Sequence, residues 1–241
     1  MAETARMRCA LFVVAPIAAF QGCATPQPYT FMLADFQRAE VLPYDSPPQV
    51  IYRIDDHRFV TLEKYRDCNH GITYYNDTTA GIREELGRAG IENFQGRLIN
   101  ADPTGRNVVI PAAGPPETAC SDRGCTTSLI YSTDGGRTFA GMSYMNSFHP
   151  FQNSKKYSVV VTKDGFYVAE TIQDDAYVIG YLLKRSGSPD QPNSVRIERE
   201  TFTASKRPHI MDGLHSPSGQ ERLTCDASIK PTNPDAPLTR N

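Results

Sequence analysis

Eight residues constrain this chain more than any other stretch: Ser132-Thr133-Asp134-Gly135-Gly136-Arg137-Thr138-Phe139, which fill every fixed position of the pattern Ser-x-Asp-x-Gly-x-Thr-aromatic. The chemistry of such a run is local. A carboxylate at Asp134 can accept backbone N–H groups of its own turn, and Gly135 and Gly136 supply the positive φ that a tight hairpin demands. Phe139 can then drop back into a sheet and pin the turn. The run predicts a clamp between two antiparallel strands and implies no catalysis, so function has to be argued from other residues.

The rest of the chain agrees with a β fold. Strand patterns recur at Val50–Ile54, Arg58–Leu62, Ile72–Tyr75, Thr126–Tyr131, Tyr157–Thr162, Gly165–Ile172, Ala176–Leu183 and Val195–Phe202. Polar turns separate them at a spacing typical of all-β domains. The spacing predicts an all-β, mainly antiparallel fold, an irregular sandwich or propeller-like structure with at most a short helix over Ala80–Leu86. The run Gly96–Asn100, the turn Asp102-Pro103-Thr104-Gly105 and the run Asn107–Ile110 read as a further hairpin. The pattern of Ser132–Phe139 resembles the Asp-box of sialidase-like propellers and other extracytoplasmic β folds, with Ser132, Asp134, Gly136, Thr138 and Phe139 at its fixed positions. It occurs once here. Six propeller blades at about 40–50 residues each exceed the 218 residues from 24 to 241.

The ends predict export. Arg6 and Arg8 precede an apolar run from Cys9 to Phe20, shorter than the roughly 20 residues a membrane-spanning helix needs. Gly22-Cys23-Ala24 then resembles the end of a bacterial lipobox, with Cys23 as the lipid attachment site. Plain secretion and a buried apolar helix are the alternatives. The domain expectation is therefore a signal peptide and lipobox at 1–23, a proline-rich tether at 24–48, a β-rich body at 49–225 and a flexible tail at 226–241. Cysteine usage fits an oxidising compartment. Beyond Cys9 and Cys23 stand Cys68, Cys120, Cys125 and Cys225, which allow three connectivities. The short polar link Ser121–Gly124 favours Cys120 with Cys125, which leaves Cys68 for Cys225. The Cys-x4-Cys spacing is poor for zinc, and no metal or cofactor is expected.

Few residues suggest chemistry. Asp55-Asp56-His57 could bind a cation or serve acid–base work, but polar residues between two strand runs are what a solvated turn needs. His70 and His149 lack ligand spacing, and His209 and His215 with Asp212 lack a further ligand. There is no Gly-x-Ser-x-Gly elbow, His-Glu-x-x-His, phosphate loop or dinucleotide fingerprint. A net charge of −2 with scattered Lys and Arg gives no sign of a nucleic-acid footprint, which would need a clustered basic face. A sialidase would need an arginine triad and a Tyr–Glu pair, and no spacing singles these out.

The ordered set Tyr52–Phe59, Cys68, Gly71–Thr78 and Tyr131–Phe139 resembles a family of bacterial envelope immunity proteins that neutralise phospholipase effectors of the type VI secretion system. The resemblance spans roughly residues 48 to 185. It implies a non-catalytic periplasmic protein whose partner is a cognate phospholipase effector, and the lipobox-like Cys23 adds an anchor on the outer membrane as the expected location. An extracytoplasmic carbohydrate-binding or sialidase-like lipoprotein is the alternative. Phe148 and Phe151, in Asn146–Phe151, are candidate effector anchors, with packing inside their own loop as the plainer role.

Overall fold

A computed structural model describes residues 44–87, 90–185 and 195–234. The expected signal segment, Cys23, all of the tether before residue 44 and the tail beyond 234 lie outside the described residues.

Three sheets share one core. The first is a meander in the order β1 (Gln49–Arg53), β2 (Arg58–Asp67), β3 (His70–Asp77), β4 (Ile82–Gly87). The chain then supplies β5 (Arg97–Asn100), which joins a second sheet, and β6 (Val108–Pro111), which joins a third with β7 (Cys125–Ser132) and β8 (Ala140–Ser147). After the short helix α1 (Pro150–Asn153) come β9 (Tyr157–Thr162), β10 (Gly165–Ile172), β11 (Asp175–Arg185) and β12 (Val195–Thr203). The second sheet runs β12-β11-β10-β9-β5. All described pairings are antiparallel except β5 on β9. The sheets are packed without closing into a barrel, so the all-β expectation holds.

Sequence and burial explain the layering. Val159, Val160 and Val161 of β9 are all buried, because β9 is flanked on both edges and covered on both faces, where a continuous apolar run is favoured over alternation. One cluster takes Tyr52 and Tyr75 from the first sheet, Phe166 and Val159 from the second, and Val109 and Leu129 from the third.

Two expectations fail for identifiable reasons. Residues 82–87 form strand β4 rather than a helix. Asp77 Oδ1 does accept the N–H groups of Thr79 (3.0 Å) and Ala80 (2.9 Å) as a helix cap would. Gly81 then turns left-handed at φ 65° and delivers the chain to the open edge of β3. There Arg83 lies 4.0 Å over the Tyr74 ring and pairs with Glu63. Likewise β5 and β6 do not form a hairpin. The chain turns at Asp102, but the Asn100 side chain fills the gap, accepting from Val109 N–H (3.0 Å) and donating to Val109 C=O (3.2 Å). With its ladder groups met by a side chain, each strand is free to join a different sheet.

The segment after β12 is a strap. Ser218 N–H donates to Ile54 C=O and Thr224 N–H to Ile51 C=O along the outer edge of β1, while Leu98 N–H of β5 donates to Glu221 C=O. It thus covers an edge of two sheets at once, edges that would otherwise present unpaired backbone groups. Ser216, fully buried, binds Tyr52 Oη (2.8 Å) and accepts from Asn100 N–H (3.0 Å). Cys68 is bonded to Cys225 and Cys120 to Cys125, the pairing that spacing favoured. The described part of the expected tail is held rather than loose. Thr232 donates its N–H (2.7 Å) and its hydroxyl to Asp45.

Candidate functional site

At one end of the sheets, the β1–β2 turn, the β3–β4 turn, the 102–107 loop and the β7–β8 turn open onto a shared cleft of about 740 Å³. Each turn is built by its own carboxylate. Asp55 accepts the N–H groups of His57 (3.1 Å) and Arg58 (2.7 Å) and pairs with the buried Arg58 guanidinium at 2.6 Å. Asp77 holds its turn as described and meets His57 Nδ1 at 3.0 Å. Asp102 accepts from Thr104 N–H and Asn107 N–H, each at 2.9 Å. Asp55-Asp56-His57 is therefore a turn, as its position between two strands suggested.

The fourth turn, Ser132–Phe139, is the hub. Asp134 Oδ1 accepts from Ser132 Oγ (2.7 Å), Arg137 N–H (3.1 Å) and Thr138 N–H (3.0 Å), and Oδ2 from Thr138 Oγ1 (2.6 Å). Burial pushes the Asp134 carboxyl up, but these bonds outweigh it and hold the group below the ordinary Asp range. The same balance, with Arg58 as the outweighing partner, lowers Asp55, and Ala80 N–H and His57 lower Asp77. Gly136 has a double requirement: its φ is 87°, and a Cβ there would come within 2.1 Å of the Tyr75 ring. The turn is thus seated on β3, with Phe139 edge-on to Tyr75 at 5.5 Å between ring centres.

Tertiary ties lock the four turns together. Gly135 N–H donates to Arg106 C=O (2.9 Å), and Tyr75 Oη to Gly135 C=O (3.4 Å). Arg58 lies so close over Gly105 that a Cβ would fall 2.4 Å from its guanidinium. Asn107 Nδ2 bridges to Thr162 C=O (2.9 Å) and Lys163 C=O (3.0 Å), while its Oδ1 accepts from Arg185 at the end of β11 (2.9 Å). Arg185 also reaches Thr133 C=O (3.2 Å). Three exposed arginines, Arg106, Arg137 and Arg185, consequently line one cleft. Sequence reasoning missed them. They are separated by 31 and 48 positions, and no local pattern marks them.

Phe148 and Phe151 lie elsewhere. Phe148, 58% exposed, follows β8 at the end of that strand remote from Ser132–Phe139. Phe151 is half-buried and lines a smaller hollow of about 270 Å³ with the Cys68–Cys225 bridge and Glu92. The two do not share a site with the arginines. His70 sits between Asp67 and Glu117, and His209 pairs with Asp212 at 2.7 Å; among the described residues no three metal-ligating side chains cluster. No helix among the described residues is long and apolar enough to cross a membrane.

Compared with protein-family models, residues 44–170 match the one described as Tli3, T6SS Tli3 immunity protein, more than half of the 241 residues. The matched region holds the first and third sheets and three of the four cleft arginines, with Arg185 beyond it. No curated protein matches the chain.

Proposed function

Because the chain belongs to the T6SS Tli3 immunity protein family, we propose that it binds a cognate phospholipase effector in the periplasm and blocks it, protecting the producing cell. The observation that carries this reading is the family match across residues 44–170, which contain the rigid turn-built end of the molecule. The architecture suits an inhibitor. Turns fixed by hydrogen-bonded carboxylates and crossing ties lose little conformational entropy on binding, so more of the contact energy is available as affinity. The protein acts by occupying its partner, with no catalysis of its own. Export through residues 1–23 with lipid on Cys23 places it on the outer membrane, facing the compartment where such an effector arrives.

The alternative, a carbohydrate-binding or sialidase-like protein, gains the convergence of arginines as a grip for a sugar carboxylate. The second half of that chemistry is not in view, since no Glu stands among the described residues lining the cleft.

The test is protection. The reading expects a phospholipase gene beside this one, and its product is directed to the periplasm of a host cell, with and without this chain. Survival restored by the chain is the expected result, and continued killing at equal expression rejects the reading. In the same cells, C23S is expected to move the protein from the membrane fraction to the soluble periplasm.

A further inference from the structure

The cleft holds arginines that the fold leaves without an ion-pair partner, in a lining where Arg58, Arg106, Arg137 and Arg185 stand against Asp55, Asp77 and Asp134. Among the described residues, Arg106, Arg137 and Arg185 pair with no carboxylate. Arg185 is held by the neutral oxygens Thr133 C=O and Asn107 Oδ1, and Arg137 Nη1 by Asp134 C=O at 2.9 Å. The carboxylates that share the lining are already committed. Asp55 serves Arg58, Asp77 serves the N–H groups of Thr79 and Ala80 together with His57, and Asp134 serves its own turn. A guanidinium has five N–H donors in a fixed fork, so two of these side chains are oriented by the fold and still have donors to give.

We propose that this cleft is the effector-docking surface and that it receives an acidic loop of the effector, one or more Asp or Glu side chains seated against Arg106, Arg137 and Arg185. The proposal rests on the immunity reading above and says which face performs it. A planar carboxylate matches the arginine fork in charge and shape. A phosphate dianion fits less well, because Asp77 and Asp134 in the same lining oppose a second negative charge. Arginine is also among the residue types that dominate binding energy at interfaces, above all where it is held in place before the partner arrives.

The experiment uses the full chain and the purified cognate effector, with affinity read by calorimetry. R106E, R137E and R185E are each expected to weaken binding by about 10- to 100-fold. The pair K155E and K156E, exposed at the opposite end of β9, should leave it within about twofold. Arg106 makes no side-chain hydrogen bond within the described residues, so R106E acts without disturbing the fold, and melting curves of every variant check this. R106K treated with a carbodiimide should cross-link to an Asp or Glu of the effector, located by mass spectrometry. Wild-type binding and protection with unchanged affinity of all three reversals would overturn the cleft while leaving the immunity reading intact. Absence of both binding and protection by the wild type would remove the immunity reading and the cleft with it. If phosphatidylglycerol vesicles bind in an arginine-dependent way while effector binding does not respond, the ligand is a lipid phosphate and the proposal fails.

Discussion

Asp134 does at the scale of one residue what the cleft does at the scale of the molecule: it fixes groups that would otherwise be free. Its four accepted bonds come from Ser132, Arg137 and Thr138, all within four positions of it. For that reason the role was legible in the sequence. D134A removes the charged acceptor of the turn's hydrogen bonds, which costs about 1–3 kcal/mol. For a chain of this size that lowers the melting temperature by about 3–10 °C. The sign of the pH dependence follows from the lowered carboxyl. Its stabilisation is present above the ordinary Asp value of 3.8 and is lost as pH falls through the lower folded value. The gap between wild type and D134A should therefore be full at neutral pH and close in acid, in calorimetric melts across the range. The arginines are the opposite case. Nothing within four residues of Arg106 or Arg185 announces a site, because their common neighbour is a backbone turn far away in the chain.

Among the elements, hairpins were the most legible, since a hairpin is decided by alternation and by turn residues a few positions apart. The meander β9-β10-β11 and strand β7 follow their expected bounds closely. The misreadings at β4 and at β5–β6 share one cause. In each, a competent local cap or turn was present, and a non-local partner chose what the chain did next: the free edge of β3 in one, the Asn100 side chain in the other. The strap was invisible as an element, because it has no period and its backbone groups answer to β1 and β5 rather than to itself. Its anchor is Cys225, bonded to Cys68 across 157 positions, while Cys120–Cys125 closes only 5. Chain entropy makes the long closure worth about 5 kcal/mol and the short one about 2. C68S with C225S should accordingly lower the urea midpoint much more than C120S with C125S, and a larger effect of the short bridge would contradict this account.

Over the whole molecule, stability should depend on pH through one group that the fold treats badly. Glu92, beside the Cys68–Cys225 bridge, has a buried Oε2 with no hydrogen-bond partner, and burial pushes its carboxyl up to about 7. The sign is opposite to that of Asp134. A carboxyl raised above its ordinary 4.5 favours the folded state while protonated, and that advantage is lost as pH rises through the folded value. E92Q keeps the shape without the charge. It should be close to wild type at pH 4 and more stable at pH 8, by on the order of 3 kcal/mol, as measured by denaturant unfolding at the two values. A gap that does not change with pH would mean that Glu92 remains charged and solvated throughout.

What the sequence determined by itself was whatever is settled over short stretches of chain. Strand identity comes from alternation, the Ser132–Phe139 clamp from bonds spanning at most four positions, and the Cys120–Cys125 closure from a short polar link. The tertiary structure alone decided which sheet each strand joined, which edges the strap covers, and that Arg106, Arg137 and Arg185 face one cleft. The physical reason is range. Backbone geometry and turn hydrogen bonds act between neighbours, whereas sheet edges and guanidinium groups can be satisfied from any part of the chain that packing brings near.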